Sequence, residues 1–251
     1  MIRVITAAHK PYWIPKDPMY LPLHVGRACH PPFDIAGDDT GDNISEKNAN
    51  YCELTGLYWA WKNLDASYLG LDHYRRHFTL HRFSKQKQDV LSEAEAREIF
   101  KTTDVILPKK RHYIIETNYS QYAHAHHAAD LDVTRDILTE KYPEYVKTFD
   151  CVMRRRSGHR FNMFIMKREL ADQYCTWLFS VLFELESRLD IRDYTDNDKR
   201  VFGFVGERLL DVWLIKNNID YKDVPYIFME KQNWFKKIIM FIGRKIGIRK
   251  D

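Results

Sequence analysis

The densest set of chemically useful side chains is the run Asp72-His73-Tyr74-Arg75-Arg76, directly after the apolar stretch Ser67-Tyr-Leu-Gly-Leu71. Adjacent arginines suit a diphosphate, because their forked donors neutralise and hydrogen-bond its oxygens together. Asp72 beside His73 could hold a divalent metal, Mn or Mg, bridging the same diphosphate. The bland reading of these residues is a strand end carrying salt-bridged arginines. A second group, Thr6-Ala-Ala-His9-Lys10, ends the first apolar run and offers an imidazole and an ammonium to a nucleotide base or phosphate. It also reads as a solvated turn.

Three further clusters carry chemistry. In Gly203-Phe-Val-Gly206-Glu207-Arg208, two glycines precede a predicted helix whose first turn holds Glu207. A carboxylate at the positive end of a helix suits a general base, although pairing with the dipole or Arg208 explains it equally well. The segment Tyr119–Asp130, expected as a loop, offers Tyr122, His124 and Asp130, which suit a hydroxyl-rich acceptor by stacking and hydrogen bonding. His126 and Asp130 stand four residues apart, but no HExxH or comparable zinc spacing is present. In Ile44–Thr55, Ser45 reads as a helix N-cap, with Asn48 and Tyr51 on adjoining faces of the helix it starts.

These groups need elements to position them. Ile2–Thr6 reads as a buried first strand, Ser67–Leu71 as a second and Asp104–Pro108 as a third, with further strands at Phe161–Met166 and Tyr221–Ile227. Helical spacing covers Asn48–Lys62, Leu131–Lys141, Arg168–Arg188 and Val201–Lys216, and Ser92-Glu-Ala-Glu95 has the form of a capping box. Alternating strands and helices predict an α/β sheet with parallel elements, whose ligand crevice lies beyond the carboxyl ends of its strands. Residues 15–43, with Pro15, Pro18, Pro22, Pro31 and Pro32, read as a long functional loop.

The composition narrows the class. The chain has 251 residues, 45% hydrophobic and 29% charged, with only 10 glycines and 9 prolines, which excludes collagenous and disordered chains. Aromatic residues reach 14%; rings in such numbers often line sites for flat or sugar-like ligands, though core filling is their commoner use. Cys29, Cys52, Cys151 and Cys175 form no CxxC pair and suggest reduced thiols in a cytoplasmic protein. Neither a signal peptide nor a membrane span is expected.

Charge is uneven. Residues 231–251 carry seven basic residues and one acidic, so +6, leaving −2 for residues 1–230. A mildly acidic body argues against a nucleic-acid partner. Two parts are expected: a catalytic domain over 1–230 and a basic amphipathic tail over 231–251. Trp234, Phe235, Ile238, Ile239, Phe241, Ile242 and Ile246 share one face of a predicted C-terminal amphipathic helix, opposed by Lys236, Lys237 and Arg244. Such a helix, over 234–250, suits the cytoplasmic face of a membrane, or packing on a partner subunit.

Several strings resemble one family: Ile44-Ser-Glu-Lys-Asn-Ala-Asn-Tyr-Cys-Glu-Leu-Thr55, Tyr58-Trp-Ala-Trp-Lys-Asn63, Leu69-Gly-Leu-Asp-His-Tyr-Arg-Arg-His-Phe78, Phe161-Asn-Met-Phe-Ile-Met166 and Glu207-Arg-Leu-Leu-Asp-Val-Trp213. That family was first catalogued as a domain of unknown function and is described as capsular or exopolysaccharide biosynthesis glycosyltransferases. The resemblance covers roughly residues 2–230. It implies a GT-A-like, Rossmann-type mixed and mostly parallel sheet flanked by helices. It further implies an inverting hexosyltransferase that uses a nucleotide-sugar donor, with a UDP-linked galactose or galactofuranose the first expectation. The acceptor would be a lipid-linked saccharide in capsule, exopolysaccharide or O-antigen synthesis, and no organic cofactor is implied. Thr6, His9, Lys10 and Asp72 to Arg76 then fall on the donor side. Tyr122, His124 and Asn162 fall on the acceptor side, with Glu207 first and Asp130 second as base. GT-A enzymes usually carry Asp-x-Asp, whereas this chain has Asp72-His73-Tyr74, so Arg75 and Arg76 can stand in for the metal. The alternatives are a noncatalytic carbohydrate-binding module and a peripheral membrane scaffold.

Overall fold

The computed structural model describes residues 1–84 and 86–230. Strand β1 (Ile2–Ala8) is the centre of the fold, and its near-continuous apolar run reflects burial on both faces. It lies parallel to β2 (Tyr20–His24) on one side and to β4 (Tyr68–His73) on the other, with Thr6 facing Asp72 and Ala7 facing His73 across the ladder. Next to β4 runs β9 (Phe164–Lys167), antiparallel, followed by β6 (Val105–Pro108) and β10 (Lys222–Val224); β3 (Ala36–Gly37) closes the far edge beyond β2. A small antiparallel extension, β5 (Arg76–Phe78) paired with β11 (Tyr226–Phe228), leaves the end of β4. A separate two-stranded ribbon joins β7 (Arg111–His112) to β8 (Ser157–Gly158).

Helices cover both faces. On one side α2 (Leu54–Asn63), α5 (Ala128–Lys141), α6 (Pro143–Arg154), α7 (Arg168–Arg188) and α8 (Val201–Lys216) enclose Leu57, Leu69, Leu71, Phe164, Leu178 and Leu209. On the other, α3 (Glu93–Ile99) closes a smaller core of Ile2, Val4, Tyr20, Phe78 and Ile165. The predicted capping box forms: Ser92 and Glu95 each satisfy the other's backbone N–H. The short helices α1 (Asn48–Tyr51) and α4 (Asn118–Ala125) complete the set.

Four local expectations are corrected. Residues 15–43 contain β2 and β3, and Pro22 is tolerated inside β2 because β3 pairs only with Leu23 and His24 beyond it. The connection is fastened by the buried Asp38, which accepts from Gly26 N–H at 3.0 Å, Arg27 N–H at 3.2 Å, Ser45 Oγ at 2.5 Å and Thr55 Oγ1 at 2.6 Å. Ser45 is therefore an anchor in a 3-10 turn and not an N-cap. The helix expected over Asn48–Lys62 breaks at Cys52, which takes a left-handed φ of 53°, while Asn48 Nδ2 donates to the Cys52 carbonyl at 2.7 Å. The segment expected as a loop before Asp130 is α4 and the start of α5.

Among the described residues no helix is long and apolar enough to cross a membrane, and the four cysteines are free. The tail helix expected over 231–251 lies outside the described residues.

Candidate active site

The carboxyl ends of β1 and β4 face the break between α1 and α2, the middle of α8 and the turn before β9. That turn carries two adjacent left-handed residues, Phe161 (φ 76°) and Asn162 (φ 54°), so the strand expected from Phe161 starts only at Phe164. With Cys52, three non-glycine residues in this costly conformation meet at one place, a pattern typical of functional sites. Their neighbours over-determine the geometry. Asn162 Nδ2 donates to Glu53 Oε1 at 2.7 Å and to the Gly203 carbonyl at 3.1 Å; Phe161 N–H donates to Glu207 Oε1 at 3.1 Å. A side chain at Gly206 would press on Leu54 and Asn162, and one at Gly203 on Cys52, so both glycines of α8 are needed for close approach.

Glu207 sits in the second turn of α8, which begins at Val201, so the expected interaction with the helix N-terminus is not what places it. Its oxygens are held by Phe161 N–H and by Arg208 Nη1 at 3.1 Å, and 17% of its side chain faces solvent. His73 Nε2 donates to the Phe161 carbonyl at 2.6 Å and lies 4.0 Å from Glu53 Oε1. Arg76 inserts between two rings, 4.2 Å from the centroid of Phe161 and 5.0 Å from that of Phe228. Burial and then the charge of Arg75 pull its pKa down, opposed by Glu207 and Glu53. Among the described residues no carboxylate lies within ion-pair distance of Arg76, whereas Arg75 reaches Glu230 at 3.4 Å. The salt-bridged reading thus holds for one arginine of the pair.

Above this acidic floor the site is cationic. Burial first, then the charges of Arg75, Lys10, Arg200 and His30, lower the pKa of His9, so these groups share one field beyond the end of β1. Tyr74 is 3% exposed and acts as a pillar: its hydroxyl pairs with His9 Nε2 at 3.3 Å, and Lys10 and Arg75 lie over its ring. Arg200 Nε donates to Cys52 Sγ at 3.2 Å, and its guanidinium covers Phe204. The Cys52 thiol is pushed up to about 12, chiefly by burial, and is no nucleophile at neutral pH.

The structure brings together His9, Lys10, His73, Tyr74, Arg75, Arg76, Asn162 and Glu207. It separates the others. Asp72 is fully buried on the opposite face of the sheet, 2.7 Å from His77 Nδ1, with its pKa raised by burial; Thr6, its ladder partner, is buried beside it. Neither can touch a diphosphate. The metal expected at Asp72 does not fit, and among the described residues no three His, Cys, Asp or Glu side chains converge to hold one. Asp130 is 1% exposed and accepts from Tyr122 and Tyr194, each at 2.7 Å; burial raises the pKa of Asp130 and of Tyr122. His126 bonds Asp198 and not Asp130, and His124 pairs with Glu116 on the surface. Sequence reading missed Glu53, Phe161 and Arg200. Glu53 stands at a helix break and Phe161 in a turn, where periodicity carries no signal.

Residues 3–218 match the family described as Domain of unknown function (DUF4422). No curated protein matches the chain. A solved structure described as the apo form of WbbM, a bifunctional glycosyltransferase, is similar at 32% identity with a TM-score of 0.85, over 92% of this chain and 45% of that one. The chain therefore spans less than half the length of that relative. The mixed, mostly parallel sheet flanked by helices is the architecture shared with it.

Proposed function

The chain belongs to the DUF4422 family, and from that premise we propose that it transfers a hexosyl unit from a nucleotide-sugar to a saccharide acceptor. One observation carries the reading: a cationic rim of Lys10, Arg75, Arg76 and Arg200, with the His9 imidazole among them, stands over the carboxylates Glu53 and Glu207 at the carboxyl end of a mostly parallel sheet. Likeness to a solved glycosyltransferase supports it.

In this reading the diphosphate lies against Arg76 and Arg75, with Lys10 and His9 toward the nucleoside. Glu207 takes the proton of the acceptor hydroxyl as its oxygen bonds the anomeric carbon. The bond from that carbon to the phosphate oxygen breaks, and its electron pair leaves with the nucleoside diphosphate, whose charge the guanidinium groups neutralise. Attack opposite the leaving group inverts the anomeric carbon. Glu207 is preferred to Asp130 because 17% of its side chain faces solvent, whereas Asp130 is 1% exposed and bound by two phenols. Asn162 fixes the floor through Glu53.

Finer expectations complete the proposal: a UDP-linked galactose or galactofuranose, a lipid-linked saccharide acceptor in capsule, exopolysaccharide or O-antigen synthesis, and a peripheral position on the cytoplasmic membrane face. Incubation with a panel of nucleotide-sugars and a saccharide acceptor tests it. Release of nucleoside diphosphate with one donor is expected; a chain that neither binds nor consumes any member is a binding module or scaffold.

A further inference from the structure

A second surface stands out beside this site. The ribbon β7–β8 carries basic runs at both ends: Lys109, Lys110 and Arg111 lead into it, and Arg154, Arg155 and Arg156 enter from α6. Backbone bonds fasten the two runs together, Tyr113 N–H to the Arg156 carbonyl and Asn118 N–H to the Arg155 carbonyl, both at 2.7 Å. Between them the chain turns over Ile114 and Ile115, which are 91% and 61% exposed. Lys110 is spent on the Tyr221 hydroxyl, and Glu116 is paired with His124. Among the described residues no carboxylate lies within ion-pair distance of Lys109, Arg111, Arg154, Arg155 or Arg156.

An isolated exposed isoleucine needs no explanation, but two consecutive ones, raised on a fastened ribbon and ringed by unpaired cations, form a surface with two matching requirements. It wants an apolar medium at its tip and negative charge around its base. An anionic lipid surface supplies both in the right order, whereas a nucleic acid supplies only the charge. The surface is also joined to the site: Arg160 Nε donates to the Tyr113 hydroxyl at 3.0 Å, and the next residue is Phe161.

We propose that the β7–β8 ribbon, with Ile114 and Ile115 at its tip, docks the protein on an anionic lipid bilayer and turns the rim of the active site toward it. The inference is independent of the transfer reaction, because vesicle binding is read without donor or acceptor.

The test uses the full chain with phosphatidylcholine vesicles, with and without phosphatidylglycerol. Replacing Arg154, Arg155 and Arg156 by Glu is expected to weaken binding to anionic vesicles by on the order of a hundredfold, since each cation near such a surface adds about 1 kcal/mol. Ile114→Ser with Ile115→Ser is expected to cost about tenfold or more. All five positions are exposed, and unchanged melting would verify the fold. An Ile115→Trp variant reads the contact directly: its emission should shift to the blue and be quenched by brominated acyl chains, only when the anionic lipid is present. Full retention of vesicle affinity in both multiple variants, or a bound Ile115→Trp protein whose new tryptophan stays unquenched, overturns the proposal. So does a charge-reversed variant that loses affinity for an RNA duplex while keeping it for vesicles.

Discussion

In the proposed mechanism Glu207 and Arg76 divide the chemistry of transfer, one meeting the bond that forms and the other the bond that breaks. The glutamate is held by Phe161 N–H and Arg208; its amide isostere keeps an acceptor for Phe161 N–H and loses the base, but leaves the buried Arg208 without its carboxylate, so unchanged melting must accompany the kinetics. Glu207→Gln is expected to lower kcat by about 10²–10⁴ with little change in donor Kd, a split that initial-rate kinetics and calorimetric titration would reveal. Unchanged turnover would remove it from the mechanism. Arg76 has aromatic neighbours and no carboxylate within reach among the described residues, so its donors are available to a ligand. Arg76→Ala should raise the Kd for nucleoside diphosphate by about tenfold to a hundredfold, the range of one or two charged hydrogen bonds. An equal loss for the free nucleoside would place the arginine elsewhere.

The element that sets this geometry is the turn before β9, and His159 holds it. The imidazole is wholly buried between two helical and strand elements: Nδ1 lies 2.5 Å from Asp211 on α8, and Nε2 2.9 Å from Asp223 on β10. Both nitrogens face carboxylate oxygens, an arrangement in which each can donate and the imidazolium is favoured. Burial works against that charge, but the bonds to the two aspartates prevail and the pKa is raised. A group raised on folding contributes its stability fully below its unfolded pKa of about 6.5 and loses it as pH climbs through the folded value. Urea unfolding at rising pH should therefore show stability falling on the alkaline side. His159→Gln should be less stable by about 3 kcal/mol or more at low pH and should lack that component of the slope. A parallel slope in the variant would assign the pH dependence to other groups.

At the scale of the molecule, the basic ribbon and the strained turn are consecutive along Ser157–Asn162, and Arg76 of the rim lies over Phe161 in that turn. Activity should respond to that arrangement. With a lipid-linked acceptor in anionic vesicles, Ile114→Ser with Ile115→Ser should reduce turnover about tenfold, while turnover on a soluble acceptor analogue stays at the parent value. Equal losses on both acceptors would mean that the ribbon supports the site and not the surface.

What the sequence determined by itself follows from periodicity and local chemistry. The apolar runs of β1, β4 and β6, the long α7 and α8, and the Ser92–Glu95 capping box all form where their patterns place them, because each is decided within a few residues of chain. The arginine pair also lies where a strand's carboxyl end exposes it. Other outcomes depended on tertiary structure. Alternation along β4 sends Asp72 and His73 to opposite faces, so one became a buried partner of His77 and the other a wall of the site. Asp130 was claimed by two phenols, one of them from Tyr194, distant in sequence. Glu53, Phe161 and Arg200 joined the site only through contacts across many residues, and three left-handed backbones are tolerated there because packing from several elements outweighs their local cost.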